Sequence, residues 1–483
     1  MHHFEIFDKD AMGRIAKLTT PHGVVETPAL MPVINPNIKY IPASRMKEFG
    51  AQILITNSYI IYRSPSLYRT AIEKGLHHLL DINMPIMTDS GSYQLMVYGD
   101  VEVDNAEIVN FQKDIGSDII VPLDIPTPPD VEYEKAENDL KITLEREKEA
   151  VEITKDVNNL LALPVQGSNY SELRKKSARE VNALKGDVVP IGAIVPLLDE
   201  YRFTEVIKIV LDVKSVLSPS TPIHLFGAGH PLFFSISVAL GCDLFDSAAY
   251  ALYAKDDRYL TPHGTKKLRD LHYFPCNCPV CSTHTPDELQ KMSKQDREIL
   301  IGEHNLWISF EEMRKIKQAI KENNLFEFVE RRIRSHPNLV AAWRQIRDYL
   351  PLMEEYDPSN KQIFFYTGVE SGYRPAVARH QERVKNIELE KHEYLISTDL
   401  NHRADLYLKP VFGVIFAEML EVYPAGHAEM PPAEYIECEA LLSAVKGLKT
   451  FLDYHKDKKF NIIADDVWKE YLKELPSNAV VIQ

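Results

Sequence analysis

Residues 222–250 read PIHLFGAGHPLFFSISVALGCDLFDSAAY. An apolar run (222–226) meets a glycine-rich turn, a helix-like apolar stretch starts at Pro231, and a second apolar run (242–245) ends on Asp246. Short continuous apolar runs suit strands buried on both faces of a parallel sheet, and parallel neighbours need a crossover helix between them. The stretch is therefore one strand–turn–helix–strand unit, with its polar residues just past the strand ends. The glycine pair in GAGHP lacks the full spacing of a phosphate-binding loop, so it adds nothing on its own.

Working outward, the same rhythm recurs. Apolar runs lie at 29–34 (ALMPVI), 52–56 (QILIT), 85–88 (PIMT), 118–123 (DIIVPL), 160–165 (LLALPV) and 188–195 (VVPIGAIV), which with the first two makes eight. Helical patterns separate most of them. Asn105 reads as an N-cap for a helix that puts Ile108, Phe111 and Ile115 on one face, and 133–157 is a longer amphipathic stretch. Eight strands alternating with helices predict an α/β chain folded as a TIM (β/α)8 barrel. A doubly wound open sheet is the rival. The barrel is favoured because five strand ends carry polar residues: DSGSYQ from Asp89, Asp124, QGS from Gln166, GAGHP, and Asp246. In a barrel these converge on one mouth, whereas in an open sheet they would line an edge.

The segment FPCNCPVCSTH (274–284) holds three of the chain's five cysteines. No apolar run reaches the ~18 residues of a membrane span, and the first residues lack a signal peptide's apolar core. The chain therefore reads as cytoplasmic, where clustered thiols bind metal more often than they form disulfides. Cys276, Cys278 and Cys281 need a fourth ligand for a closed tetrahedral zinc site. His304 in GEHNLW is the first choice and His284 the second. Four protein ligands would make the metal structural rather than catalytic.

Either of Asp89 and Asp246 alone could simply cap the next helix. Two at one mouth suit displacement at an anomeric carbon, one attacking and the other moving protons. Asp124 could accept from the adjacent N–H donors of a guanine-like edge, Gln166 offers both a donor and an acceptor, and Tyr93 beside the small residues of SGSY could stack on a flat heterocycle. The net charge of −15 argues against a polyanion partner, but it is unevenly spread. RRIRSHPNLVAAWRQIR (331–347) holds five arginines and no acid, and RPAVARHQERVK (374–385) holds four cations besides His380. Both could equally be solvated helix faces.

Together, MTDSGSYQL, VPLDIPT, LPVQGS, IGAIVP, HLFGAGHP, LFDSAAYALYAKDDRYLT and the C-x-C-x2-C…H set resemble the tRNA-guanine transglycosylases, from near residue 1 to about 480. FFYTGVESGYRPAVARHQERV looks like the extra segment of the archaeal branch. The resemblance implies a TIM barrel (1–350) with an inserted zinc subdomain (about 272–310), then two small α+β domains (351–430 and 431–483). It implies exchange of guanine 15 in the tRNA D-arm for 7-cyano-7-deazaguanine (preQ0), on the way to archaeosine. Asp246 would be the nucleophile forming a covalent ribosyl enzyme and Asp89 the acid/base; the residues themselves fit either assignment. Ser90, Tyr93, Asp124, Gln166, Ala193 and Val195 would line the base pocket, and Cys276, Cys278, Cys281 and His304 would hold one Zn2+. The implied partners are tRNA, guanine and preQ0, and a second copy in a homodimer. Archaeal members usually continue into a PUA domain. This chain is expected to lack one, so that a separate PUA-domain protein supplies it or the enzyme works without it. The rival functions are an archaeosine-synthase-like paralogue, a catalytically silent tRNA-binding subunit and an unrelated zinc-containing barrel hydrolase. Retention of both Asp89 and Asp246 favours exchange.

Overall fold

The computed structural model of the protein describes residues 3–38, 40–92 and 103–482. Two compact units emerge. The first is formed by residues up to Asp8, Gly13–Ile320 and Arg332–Trp343; the second by Lys9–Met12, Lys321–Arg331 and residues from Arg344 onward.

The first unit contains the eight expected strands: β1 (Ala29–Ile34), β2 (Leu54–Asn57), β3 (Ile86–Asp89), β4 (Ile119–Ile120), β5 (Leu160–Leu161), β6 (Val189–Ile191), β7 (Ile223–Leu225) and β8 (Leu244–Ser247). All neighbours are parallel, and β8 pairs with β1. Bridges Ala162↔Val188 and Val165↔Ile191 join β5 to β6, which closes the barrel and removes the open-sheet alternative. Leu54, Ile55, Ile86, Met87, Ile119, Ile120, Leu160, Val189, Ile191, Ile223, Leu225, Leu244 and Phe245 are at most 2% exposed. Apolar side chains inside and helices outside leave polar residues mainly the strand ends, and the exceptions within strands, such as Thr56, Thr88 and His224, are hydrogen-bonded.

An antiparallel hairpin of Gly13–Thr20 and Gly23–Thr27 was not anticipated from the sequence, and it plugs the N-terminal end. Leu18 and Val25 join the barrel core. His22 N donates to Asp118 Oδ1 (2.8 Å), just before β4, and Glu26 N donates to Gln52 Oε1 (3.0 Å), just before β2. With that end closed, the C-terminal face is the mouth. Helix Asn105–Asp114 forms as expected, but its N-cap is Asp104, whose carboxylate accepts from Glu107 N (2.7 Å); Asn105 instead reaches across to Leu123 N and Arg146 O.

Beyond β8 come the hairpin strands β9 (Arg258–Thr261) and β10 (Gly264–Lys267), two short helices (Pro279–Thr283, Pro286–Lys291) and the long helix Lys294–Lys321. The second unit has a five-stranded sheet in the order Gly413–Phe416, Leu406–Lys409, Glu393–Ser397, Lys459–Ile463, Ala479–Ile482. Helices Pro375–Lys385 and Cys438–Tyr454 share its core, which runs from Phe364 to Leu472. Among the described residues, no helix is long and apolar enough to cross a membrane.

Candidate active site

The barrel mouth opens into a cavity of ≈ 1020 Å³. Asp89, Ser90, Asp124, Gln166, Ala193, Val195 and Asp246 all line it, so seven residues chosen from five separate stretches meet in one place. Tyr93, the remaining pocket residue proposed from the sequence, lies outside the described residues.

Asp89 ends β3. Its Oδ1 accepts from Asn57 Nδ2 (2.6 Å) and Gly91 N (2.9 Å). Burial pushes its pKa up to about 7, the hydrogen bond from Gly91 opposes this, and the charges of Asp246 and Asp124 add to the rise. A carboxyl poised near neutrality can give or take a proton at working pH. Asp246 is the penultimate residue of β8, and its Oδ1 accepts from His224 Nε2 (2.8 Å) and Gly227 N (2.7 Å). The same residue type in the same cavity is thus given two environments, which is how paired carboxylates acquire different roles.

Asp124 and Gln166 form the floor, 4% and 1% exposed. Gln166 Nε2 donates to Asp124 Oδ2 (2.5 Å), leaving Gln166 Oε1 buried without a partner. Burial raises the Asp124 pKa, against hydrogen bonds from Ser92 and Gln166. The floor therefore presents acceptors and calls for a ligand edge rich in N–H donors. Gly192 permits this arrangement: a Cβ there would lie 2.2 Å from Gln166 Nε2. Ala193 holds a left-handed backbone (φ 57) beside it, and Val195 opens the short helix Val195–Asp199. Ser90 is committed within the protein, its Oγ reaching Pro122 O and Ser92 Oγ (both 2.9 Å).

Sequence reasoning missed Asn57, His224 and Gly227. Asn57 is the polar end of β2 and obeyed the same strand-end rule as the aspartates. His224 is the one ionisable residue inside the run PIHLF.

The cysteine cluster is assembled. The ligand atoms of Cys276, Cys278, Cys281 and His304 lie within 4.8 Å of one another. Cys278 Sγ and Cys281 Sγ stand 3.5 and 3.4 Å from His304 Nδ1, compatible with the edges of a tetrahedron whose metal–ligand bonds are about 2.0–2.3 Å. His304 Nε2 donates to Leu260 O (2.9 Å), which leaves the Nδ1 lone pair aimed at the sulfurs. Tyr259 stacks on His304 at 3.6 Å, and its OH reaches Cys281 Sγ (3.2 Å). His284 is committed elsewhere, to Val280 O and Thr283 Oγ1, so the structure selects His304. This donor set fits a closed structural metal site.

His22, His77 and Asp118 form a second group of ligand-type residues. Here Asp118 already accepts two backbone N–H groups and both rings, and the rings stack at 3.7 Å. These contacts join the N-terminal hairpin to the barrel.

Within the basic stretches some arginines are committed inside the protein, while Arg331, Arg334, Arg347 and Arg383 are exposed. Arg332 is bidentate to Glu312, Arg344 pairs with Glu370, and Arg379 pairs with Glu354. Arg374 is 2% exposed and held by Glu327 and Glu330, so burial removes it from any surface ligand. Beside the mouth, Lys255 and Lys267 are exposed and line a cleft with Arg258, Lys294 and Arg297, which pair with Asp256, Glu298 and Asp257; the cleft shares Lys255 and Arg258 with the cavity.

The family described as "TGT: Queuine tRNA-ribosyltransferase" matches residues 8–338. A "tRNA-guanine(15) transglycosylase" of Archaeoglobus fulgidus is 60% identical over 478 residues, covering 99% of this chain and 98% of that protein. One of Methanosarcina acetivorans is 50% identical over 98% of this chain and 96% of its own length. One of Methanocaldococcus jannaschii is 46% identical over 98% of this chain and 75% of its own length. With a closed parallel barrel, carboxylates at its mouth and a Cys3His cluster beyond β8, this chain belongs to the queuine tRNA-ribosyltransferase family.

Proposed function

We propose that this protein is a base-exchanging tRNA transglycosylase that replaces guanine 15 of the D-arm with 7-cyano-7-deazaguanine. The observation that carries this reading is the buried Asp124–Gln166 floor, with Gln166 Oε1 unpartnered, beneath two aspartates held by different hydrogen-bond partners. Asp124 and Gln166 Oε1 match the N1–H and N2–H2 donors of a guanine edge, which the two bases share. Asp246 attacks ribose C1′ as the C1′–N9 bond breaks; the bonding pair leaves with guanine, which takes a proton from Asp89. The incoming base then displaces Asp246 from C1′ and returns a proton. One glycosidic bond replaces another, so no energy donor is needed. The target nucleotide must leave its stack, at a cost of a few kcal/mol. Phosphate contacts at the Lys255 cleft offset part of that cost.

Cys276, Cys278, Cys281 and His304 would hold Zn2+, which would supply a structural cross-link between the cysteine loop and helix Lys294–Lys321. Metal analysis is expected to give about one zinc per chain, and Cys278→Ser to lower unfolding temperature before it touches chemistry. A zinc-free, fully stable protein would remove this part. The active form is a homodimer in the cytoplasm, checked by sedimentation, and a separate PUA-domain protein is its candidate partner on tRNA.

The deciding experiment is incorporation of labelled guanine into an archaeal tRNA transcript, with and without excess unlabelled preQ0. Exchange that preQ0 competes away is expected. Exchange unaffected by preQ0 would refute the substrate, and no exchange even with a PUA-domain partner added would refute the reaction.

A further inference from the structure

His224 sits in the middle of β7, 0% exposed, with Leu244 of β8 as its register partner. An ionisable ring inside a barrel strand is costly unless it is hydrogen-bonded. Its one partner among the described residues is Asp246, with Nε2 2.8 Å from Oδ1, and its Nδ1 is buried without a partner. An ionised carboxylate only accepts, so Nε2 carries the proton. Phe226 packs on the ring at 4.3 Å between centroids and holds its plane.

The same Oδ1 takes a second donor, Gly227 N–H (2.7 Å). Gly227 has φ +68, and a Cβ there would lie 2.3 Å from Val195 Cγ2, so only glycine turns this N–H toward Oδ1. One oxygen of Asp246 is thus gripped by two donors from a single strand and its turn. Oδ2 has no hydrogen-bond partner among the described residues, and the side chain keeps 14% exposure toward the cavity.

We propose that His224 is the positioning residue for Asp246: with Gly227 it locks Oδ1 and presents Oδ2 as the attacking atom. This rests on the reading of Asp246 as nucleophile. Oδ2 bonds to C1′ while the C1′–N9 pair departs with the base. In the resulting ester Oδ1 becomes the carbonyl oxygen, still held by His224 Nε2–H and Gly227 N–H. When the incoming base attacks C1′, the C1′–Oδ2 pair returns to Asp246, and the same two donors stabilise the re-formed carboxylate. His224 therefore acts in both half-reactions and never touches the ribose.

The test compares His224→Leu, which fills much of the ring's space and donates nothing, with His224→Gln, which keeps an N–H donor. Asp246→Ala is the control. Single-turnover release of labelled guanine and trapped tRNA–enzyme adduct are measured, with KM for tRNA. His224→Leu is expected to slow the single turnover roughly 100-fold with KM within about twofold, and His224→Gln to recover about tenfold of the loss. Full speed in His224→Leu, or no recovery in a folded His224→Gln, overturns the proposal. Adduct lost in Asp246→Ala while His224→Leu runs at full speed removes only the role of His224. Adduct persisting in Asp246→Ala removes the nucleophile reading and the proposal with it.

Discussion

At the barrel mouth, Asp89, Asp124 and Asp246 share one cavity, and none of them forms an ion pair with a lysine or arginine among the described residues. In the second unit, Arg374 lies between Glu327 and Glu330, and Lys361 between Asp10 and Asp357, each of these side chains at most 4% exposed. Burial alone would pull the Arg374 pKa down, but the two glutamates outweigh it and hold the guanidinium charged. At the mouth nothing comparable opposes burial, so the Asp89 pKa rises. Paired charge keeps its charge state and fixes structure. A buried carboxyl without a cation can move its pKa into the working range, as Asp89 does. The two regions should therefore answer mutation in opposite currencies, one in stability and the other in rate.

The largest effect is expected from Asp246→Asn. Exchange in a single-turnover assay should fall by at least about 10⁴-fold, as when a nucleophile is removed from an enzyme, while the unfolding midpoint shifts by less than the equivalent of about 1 kcal/mol. A large loss of stability would mean that Asp246 is a structural residue like those around Arg374. Next comes the mirror image. Arg374→Met leaves Glu327 and Glu330 buried without their cation and should cost about 3–5 kcal/mol, read from denaturant unfolding of the second unit. Adding Glu330→Gln should return part of it. If Arg374→Met is neutral, the buried cluster is not the ion-paired lock its geometry describes.

The comparison also marks how far the sequence could be read. All eight barrel strands were legible because parallel strands buried on both faces leave largely apolar runs, and Asp89, Asp124, Gln166 and Asp246 were legible because they stand at or just past the ends of such runs. The cysteine spacing named three ligands and could not choose between His304 and His284. That choice depends on the Leu260 carbonyl fixing the His304 tautomer, a contact across 44 positions. A run of cations looks the same in sequence whether its counter-charges are phosphates or distant glutamates, so the sequence could not separate the buried Arg374 from the exposed Arg331 and Arg334. The partners of Arg374 lie 47 and 44 residues upstream. The N-terminal hairpin left no signal because its register depends on the barrel end it closes.

Asp89 should show the trade between the two currencies. Its pKa rises from 3.8 to about 7 on folding. Below about pH 4 both states hold the proton and the residue costs nothing. Between there and pH 7 the unfolded chain releases its proton first, so stability falls as pH rises; above pH 7 the penalty is constant. The gap of about 3 pH units, at about 1.4 kcal/mol each, bounds that penalty at about 4 kcal/mol, and contact with the open cavity reduces it. Asp89→Asn should therefore stabilise the protein by about 1–4 kcal/mol above pH 7, with no gain near pH 4, while exchange is lost. In the unmodified enzyme, single-turnover exchange should decline above about pH 7 as the acid form disappears. An Asp89→Asn protein no more stable at pH 8 than the parent would mean that the carboxyl is not held against burial at all.

The smallest effect belongs to the exposed cations beside the mouth, and it separates the cleft from the arginine runs. Lys255 and Lys267 have no acidic partner among the described residues, whereas Arg332 is held by Glu312. A lysine that meets a phosphate releases a counterion, so Lys255→Ala should lower the slope of log Kd for tRNA against log salt by about 0.7–0.9 and weaken binding by about 1 kcal/mol at moderate salt. Arg332→Ala should instead lower the unfolding midpoint and leave the slope unchanged, because its charge is already spent within the protein. Reversal of that pattern, with the slope moving for Arg332 and not for Lys255, would put the RNA backbone on the helical arginines and return the cleft to ordinary solvated surface.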